Sequence, residues 1–179
     1  MERFRRLIEI GSNVAIVVVA ILLGYSLLTR QFAQPIAPPP SAAESQLKPG
    51  TRLPIASVDF SKSEKNLLLV LSTTCKYCTE SAAFYQRLAK QNAETKKLNI
   101  VAALPQEVAE SAKYIDSNGF VVDQIIKASP SELLVRGTPT LVLLDKNGTV
   151  LESWAGKLPP EKEKEVAERL FSSVVVAVD

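Results

Sequence analysis

The chain has no histidine in its 179 residues and only two cysteines, Cys75 and Cys78. Without imidazole there is no His-based general acid–base catalysis and no Cys–His nucleophile, and nearly all common zinc and copper sites are excluded too. A tetrahedral thiolate site would need two further soft ligands that the sequence lacks. Neither a metal nor any other cofactor is therefore expected. The net charge is only +2, and three of the 21 basic residues, Arg3, Arg5 and Arg6, crowd the first six positions. The rest of the chain carries no electrostatic footprint for nucleic acid.

Hydrophobic residues make up 46% and charged residues 22%, an ordinary globular balance with something apolar added. The addition lies at the front. After the basic residues 1–9, an apolar stretch runs from Ile10 to Leu28, 19 residues, close to the ~20 that span a bilayer as a helix. A cleaved secretory signal is the rival reading. Against it, Gln31, Phe32 and Ala33 put a large polar residue where a small one is needed, so residues 10–29 read as an uncleaved anchor. Three arginines before the span and only Arg30 shortly after it place the N-terminus in the cytoplasm and the remainder outside, on the periplasmic side in a bacterium. Disulfide chemistry is permitted there. Residues 30–50 hold Pro35, Pro38, Pro39, Pro40 and Pro49 among alanines, serines and glutamines, too little apolar surface to fold and a bias toward extended geometry, and they read as a spacer.

Residues 51–179 have globular patterning. Apolar runs predict strands at residues 67–71, 99–104 and 140–144, with an edge strand within 53–60. A helix is expected over 74–90, its Ser81, Phe84, Tyr85 and Leu88 on one face, and another over 107–118 with Val108, Ala112 and Ile115 inward and Gly119 as its C-cap. Asp145 to Gly148 is turn chemistry, with 149–154 pairing back as a hairpin. Pro159 and Pro160 start a last helix with a stripe of Val166, Ala167, Leu170, Phe171 and Val174. Strands alternating with helices indicate an α/β fold, a central mixed sheet with helices on both faces.

The organising stretch is the buried strand 67–71 followed by Cys75, Lys76, Tyr77 and Cys78. A thiol at a helix N-terminus faces unpaired backbone N–H groups that stabilise its anion, so Cys75 is expected to ionise easily. Cys78, one turn on, is placed to attack a mixed disulfide formed on Cys75. Lys76 is a cation that lowers the Cys75 pKa further in this reading, and Tyr77 is a partly apolar lid. A purely structural disulfide is disfavoured because so short a loop gains little from closure.

The Cys-x-x-Cys pair at a strand-to-helix junction, with Gly137, Thr138, Pro139 and Thr140 some sixty residues later, resembles the thioredoxin superfamily, and in particular its membrane-anchored, extracytoplasmic TlpA-like branch. The resemblance covers residues 48–179. It implies a thioredoxin-like fold, a cis Pro139 beside the two sulfurs, and a Thr138 backbone offered to an incoming peptide. Trp154 and Gly156 match the closing strand and the turn behind it. The family's tryptophan before the first cysteine is replaced here by Thr74. Its buried acid on the central strand is Leu69, and the glutamate of TlpA-like reductases falls on Ser81, with Glu80 one place earlier as the candidate proton acceptor. The resemblance further implies protein thiol or disulfide clients, a membrane electron-donor protein, and action as a reductant. Two alternatives stay open. One is a peroxiredoxin-type peroxidase, with Arg136 as the cationic partner but without that family's Pro-x-x-x-Thr-x-x-Cys loop. The other is a non-catalytic binding or metal-delivery module.

Overall fold

The computed structural model describes residues 47–172 together with Val19 and Leu22. Two compact units divide the chain, Met1–Pro40 and Ser41–Asp179. In the first, Val19 and Leu22 are helical and exposed; otherwise the expected span at 10–29 lies outside the described residues, as do most of the spacer and Val174. No helix among the described residues is long and apolar enough to cross a membrane.

The second unit is built on five strands: β1 (Lys65–Val70), β2 (Leu98–Leu104), β3 (Gln124–Lys127), β4 (Thr140–Asp145) and β5 (Val150–Ala155). Their order is β3-β2-β1-β4-β5. β1 pairs parallel with β2 and antiparallel with β4, so the sheet is mixed and β1 is its centre. All six β1 residues are buried, as a strand covered on both faces demands, and each such leucine contributes about 1.5–3 kcal/mol relative to exposure. Four helices follow the strands: α1 (Lys76–Glu80), α2 (Ala82–Thr95), α3 (Val108–Ser117) and α4 (Pro160–Phe171).

The alternation of β1 sorts its side chains into two cores. Leu67 and Leu69, with Leu71 just beyond the strand, meet Phe84, Tyr85 and Leu88 of α2, Ile115 of α3, and Val166 and Leu170 of α4. Leu68 and Val70 face the other way, against Leu47, Leu53, Val58, Phe60, Leu133 and Val135. Helices on both faces were expected. Instead, among the described residues, α2, α3 and α4 share one face, and the other is closed by irregular segments and a 3-10 turn at Phe60–Lys62. The described segment before β1 is interrupted by Pro54, and its helical part is that 3-10 turn.

Three local expectations also change. No strand forms within 53–60; a single bridge stands just before it, Arg52 to Thr149, because Pro54 has no N–H with which to extend the ladder. The helix expected over 74–90 breaks at Ser81. The Ser81 hydroxyl donates to the Tyr77 carbonyl at 2.8 Å, a back-bond that competes with the helix ladder and bends it. Helix α3 is rolled, so that Ser111 and Ile115 are buried while Val108 and Ala112 face solvent. The roll places the Tyr114 ring against the core, more apolar area than Ala112 offers.

Candidate active site

Antiparallel pairing sets Val70, the last residue of β1, opposite Thr140, the first of β4. The loop leaving β1 and the loop entering β4 therefore meet at one end of the sheet. The first carries Cys75 and the second carries Thr138 and Pro139, whose peptide bond is cis. Thr140 Oγ1 donates to the Gly137 carbonyl at 2.8 Å, and the Gly156 amide donates to the Pro139 carbonyl at 2.7 Å, fixing the second loop.

Cys75 is the N-cap of α1. Its sulfur accepts the Cys78 amide at 3.2 Å, and its thiol donates to the Thr138 carbonyl at 3.4 Å. Both cysteines are free thiols; Cys75 is half-buried and Cys78 fully buried. Burial opposes ionisation of Cys75, but hydrogen bonds from the side chains of Cys78 and Thr138 and from the backbone of Cys78 and Tyr77 outweigh it and bring its pKa below the ordinary 9.0. Burial, followed by the bond to Cys75, pushes Cys78 up to about 12. The fold thus eases ionisation of one thiol and keeps the other protonated behind it.

The other expected residues divide. Tyr77, between the two cysteines in sequence, is 58% exposed. Thr74 is exposed, its hydroxyl 3.1 Å from Ser72 Oγ. The Lys76 side chain is 83% exposed and pairs with Glu80 at 3.7 Å rather than reaching a sulfur. The Glu80 carboxylate also accepts from Lys157 Nζ at 2.7 Å, and these lysines hold its pKa down. It makes no hydrogen bond to either thiol, because the one-residue offset turns it outward from the face that carries Cys78. Arg136 is exposed on the loop before Thr138.

The family described as thioredoxin-like domain matches residues 55–170. The chain belongs to this family. It is a thiol–disulfide oxidoreductase of thioredoxin-like fold, and a Cys75–Cys78 pair is present at its strand-to-helix junction, facing the loop with the cis proline. Solved structures show the same fold. The thiol:disulfide interchange protein DsbE from Chlorobium tepidum is 20% identical with a TM-score of 0.54, over 69% of this chain and 95% of that one. The thioredoxin domain of a thiol-disulfide oxidoreductase from Bacteroides vulgatus is 15% identical with a TM-score of 0.54, over 70% and 99%. A thiol:disulfide interchange protein from Bacteroides sp. is 18% identical with a TM-score of 0.51, over 72% and 87%. No curated protein matches the sequence.

Two parts of this thioredoxin-like site were not anticipated. Gln106 and Glu110 brace the loop before Cys75: Gln106 Oε1 accepts the Thr73 amide at 3.3 Å, its Nε2 donates to Ser72 Oγ at 3.2 Å, and Glu110 Oε1 accepts the Thr73 hydroxyl at 3.0 Å. Nothing in the local sequence couples residues 72–73 to 106–110; the parallel pairing of β1 and β2 does. The second part is a tyrosine of α3 whose hydroxyl meets the active-site helix α1. Tyr114 shares a 3.2 Å hydrogen bond with Thr79.

Proposed function

We propose that the protein is a membrane-tethered thiol–disulfide oxidoreductase that reduces disulfides in extracytoplasmic protein clients and is recharged by a membrane electron donor. The observation that carries this reading is the asymmetry of the pair. Cys75 is reachable, hydrogen-bonded and lowered in pKa, while Cys78 lies fully buried one turn behind it. The Cys75 thiolate attacks a client disulfide and releases one client thiolate. Cys78 then attacks the Cys75 sulfur, the second client thiolate leaves, and the enzyme holds the disulfide. The Thr138 carbonyl and the Tyr77 face flank the attacked sulfur and form the shelf on which a client strand lies. The apolar stretch at 10–28 and the arginine bias support the tether and its orientation.

The test is the reduction potential of the pair in the full chain, equilibrated against dithiothreitol and glutathione with trapping of free thiols, alongside insulin-reduction and peroxidase assays. A potential near about −270 mV supports a reductase that needs a donor. A potential near about −120 mV would make the protein a disulfide donor and overturn the direction. Peroxide turnover without insulin reduction would move the assignment to a peroxidase.

A further inference from the structure

Among the described residues, the non-glycine positions with a left-handed backbone are Lys96, at φ +50, and Leu134, at φ +58. Lys96 ends α2 with a solvated charge. Leu134 lies on the loop that leads to Thr138 and Pro139, and it is 56% exposed. The Val135 amide donates to the Pro130 carbonyl at 2.9 Å and the Leu134 amide to the Ser131 carbonyl at 3.2 Å. These bonds close a turn whose left-handed position normally takes glycine or asparagine. There a leucine crowds its Cβ against the following carbonyl and leaves apolar atoms in water, so neither the turn nor the core accounts for it. Its neighbours Leu133 and Val135 are buried with Leu68 and Val70, which leaves Leu134 and Arg136 on the outer side of the loop, both exposed. The row of alternate residues 134, 136 and 138 ends at Thr138, whose carbonyl is 3.4 Å from the Cys75 sulfur. Four residues of chain span at most about 14 Å, so Leu134 is within reach of a segment bound at Cys75. Arg136 enters none of the ion pairs among the described residues. The acid nearest it along the loop, Glu132, is turned back onto the Ser129 amide and hydroxyl at 2.6 and 2.7 Å. The exposed large apolar residues of the folded unit are Tyr77, Val108, Val121 and Leu134. All but Val121 follow the C-terminal ends of the parallel strands β1, β2 and β3, the end of the sheet where Cys75 stands.

Resting on the oxidoreductase reading above, we propose that Leu134 and Arg136 are specificity residues that carry the client shelf beyond Thr138, and that they fit an extended polypeptide with an acidic and a bulky apolar residue close to its reactive cysteine. Side chains on one face of an extended client recur every second residue, about 7 Å apart, the step at which residues 138, 136 and 134 can follow one another. With the client cysteine held at Thr138, its second neighbour meets Arg136 and its fourth meets Leu134. Covering the leucine recovers the apolar burial that the fold forgoes, and the arginine gains the carboxylate that its own loop withholds. Both residues act on the client and not on the thiols, so a small disulfide is indifferent to them.

The test is the single-turnover reaction of the reduced full chain with short synthetic peptides whose central cysteine is disulfide-bonded to thionitrobenzoate. The Cys75 thiolate bonds to the peptide sulfur, the peptide–thionitrobenzoate bond breaks, and the coloured thiolate leaves with the electron pair. The peptides differ only at the second and fourth residues on either side of the cysteine, which are glutamate and leucine, glutamate and serine, or lysine and leucine. The unaltered chain is expected to react with the first about fivefold faster than with either of the others. Leu134→Gly loses the preference for leucine over serine, and its urea midpoint is no lower than that of the unaltered chain, because glycine accepts φ +58. Arg136→Gln loses the preference for glutamate over lysine, and Arg136→Lys keeps it. All three variants consume the small neutral hydroxyethyl disulfide within about twofold of the unaltered rate. Equal rates with the three peptides, a preference that survives its substitution, a lowered urea midpoint in Leu134→Gly, or a variant slowed alike with hydroxyethyl disulfide overturns the proposal. An unaltered chain that releases no thionitrobenzoate from any peptide and consumes no hydroxyethyl disulfide would instead overturn the oxidoreductase reading beneath it.

Discussion

Cys75 and Cys78 start from the same ordinary thiol value, and the fold moves them in opposite directions. Hydrogen bonds to the Cys75 sulfur win over its partial burial, whereas Cys78 is fully buried and pushed up to about 12. Iodoacetamide at neutral pH is therefore expected to modify one thiol of the reduced protein, with a rate midpoint below 9.0, and Cys75→Ser removes that reactivity. Cys78→Ser leaves it and accumulates mixed disulfides, visible by mass. The same shifts act on stability. The native state gives up the Cys75 proton earlier than the unfolded chain does, so reduced-protein stability rises with pH between the lowered value and 9.0. It holds the Cys78 proton longer, so stability falls from 9.0 toward about 12. Urea unfolding of reduced against oxidised protein isolates the effect, since the oxidised form has neither thiol. A monotonic difference across that range would contradict it. Because Glu80 is paired with Lys157 and Lys76, Glu80→Gln is expected to leave the rate of insulin reduction within about twofold. A large loss, with mixed disulfides accumulating on Cys75, would restore Glu80 as the proton acceptor.

At the scale of elements, the β4–β5 turn is the clearest test of how sequence sets structure. Asp145 Oδ1 accepts the Asn147 and Thr149 amides, both at 2.8 Å, and these bonds outweigh its partial burial to lower its pKa. Asp145→Ala is expected to cost about 1–2 kcal/mol. In the parent chain the stabilisation from this carboxylate is present above 3.8 and lost as pH falls through the lowered native value. Gly148 has φ +76, and a Cβ there would stand 2.9 Å from the Phe60 ring. Strain and overpacking together make Gly148→Ala cost about 2–4 kcal/mol. Gly156, at φ +82 with open space around it, bears the strain alone, about 1–2 kcal/mol. Equal denaturant midpoints for the two variants would contradict the ring contact. That turn was legible because Asp-x-x-Gly chemistry is local, and β1, β2 and β4 were legible because buried strands read as apolar runs. β3 was not, since Gln124–Lys127 is a four-residue edge with one fully buried side chain. The break at Ser81 and the roll of α3 depend on a hydroxyl's choice of carbonyl and on what the helix packs against, neither of which periodicity records. The site followed the same division. The cysteines announced themselves by spacing, whereas Gln106 and Glu110 reach it only through the pairing of distant strands.

For the whole molecule, the chemistry of the folded unit and the character of the first residues have to be consistent. A thiol pair that cycles needs both an oxidising supply of client disulfides and a source of electrons, a combination found outside the cytoplasm only where a donor crosses the membrane. The 19 apolar residues from Ile10 to Leu28 would span about 28 Å as a helix, close to the roughly 30 Å hydrocarbon core. With Arg3, Arg5 and Arg6 on one side and Arg30 on the other, the insertion energetics favour an N-terminus left in the cytoplasm. The full chain is therefore expected in the membrane fraction, resistant to alkaline extraction, while a chain starting at Lys48 is recovered without the membrane. In intact bacterial spheroplasts, a membrane-impermeant maleimide should label Cys75 after mild reduction, and Cys75→Ser should abolish the label. Labelling only after lysis would place the thiols in the cytoplasm, where a membrane donor has no role, and the tethered-reductase reading would fall. Release by alkali of a shortened chain, with Cys75 still labelled from outside, would instead point to cleavage of the apolar segment and a free extracytoplasmic enzyme, because covalent continuity with a spanning helix is what separates the two.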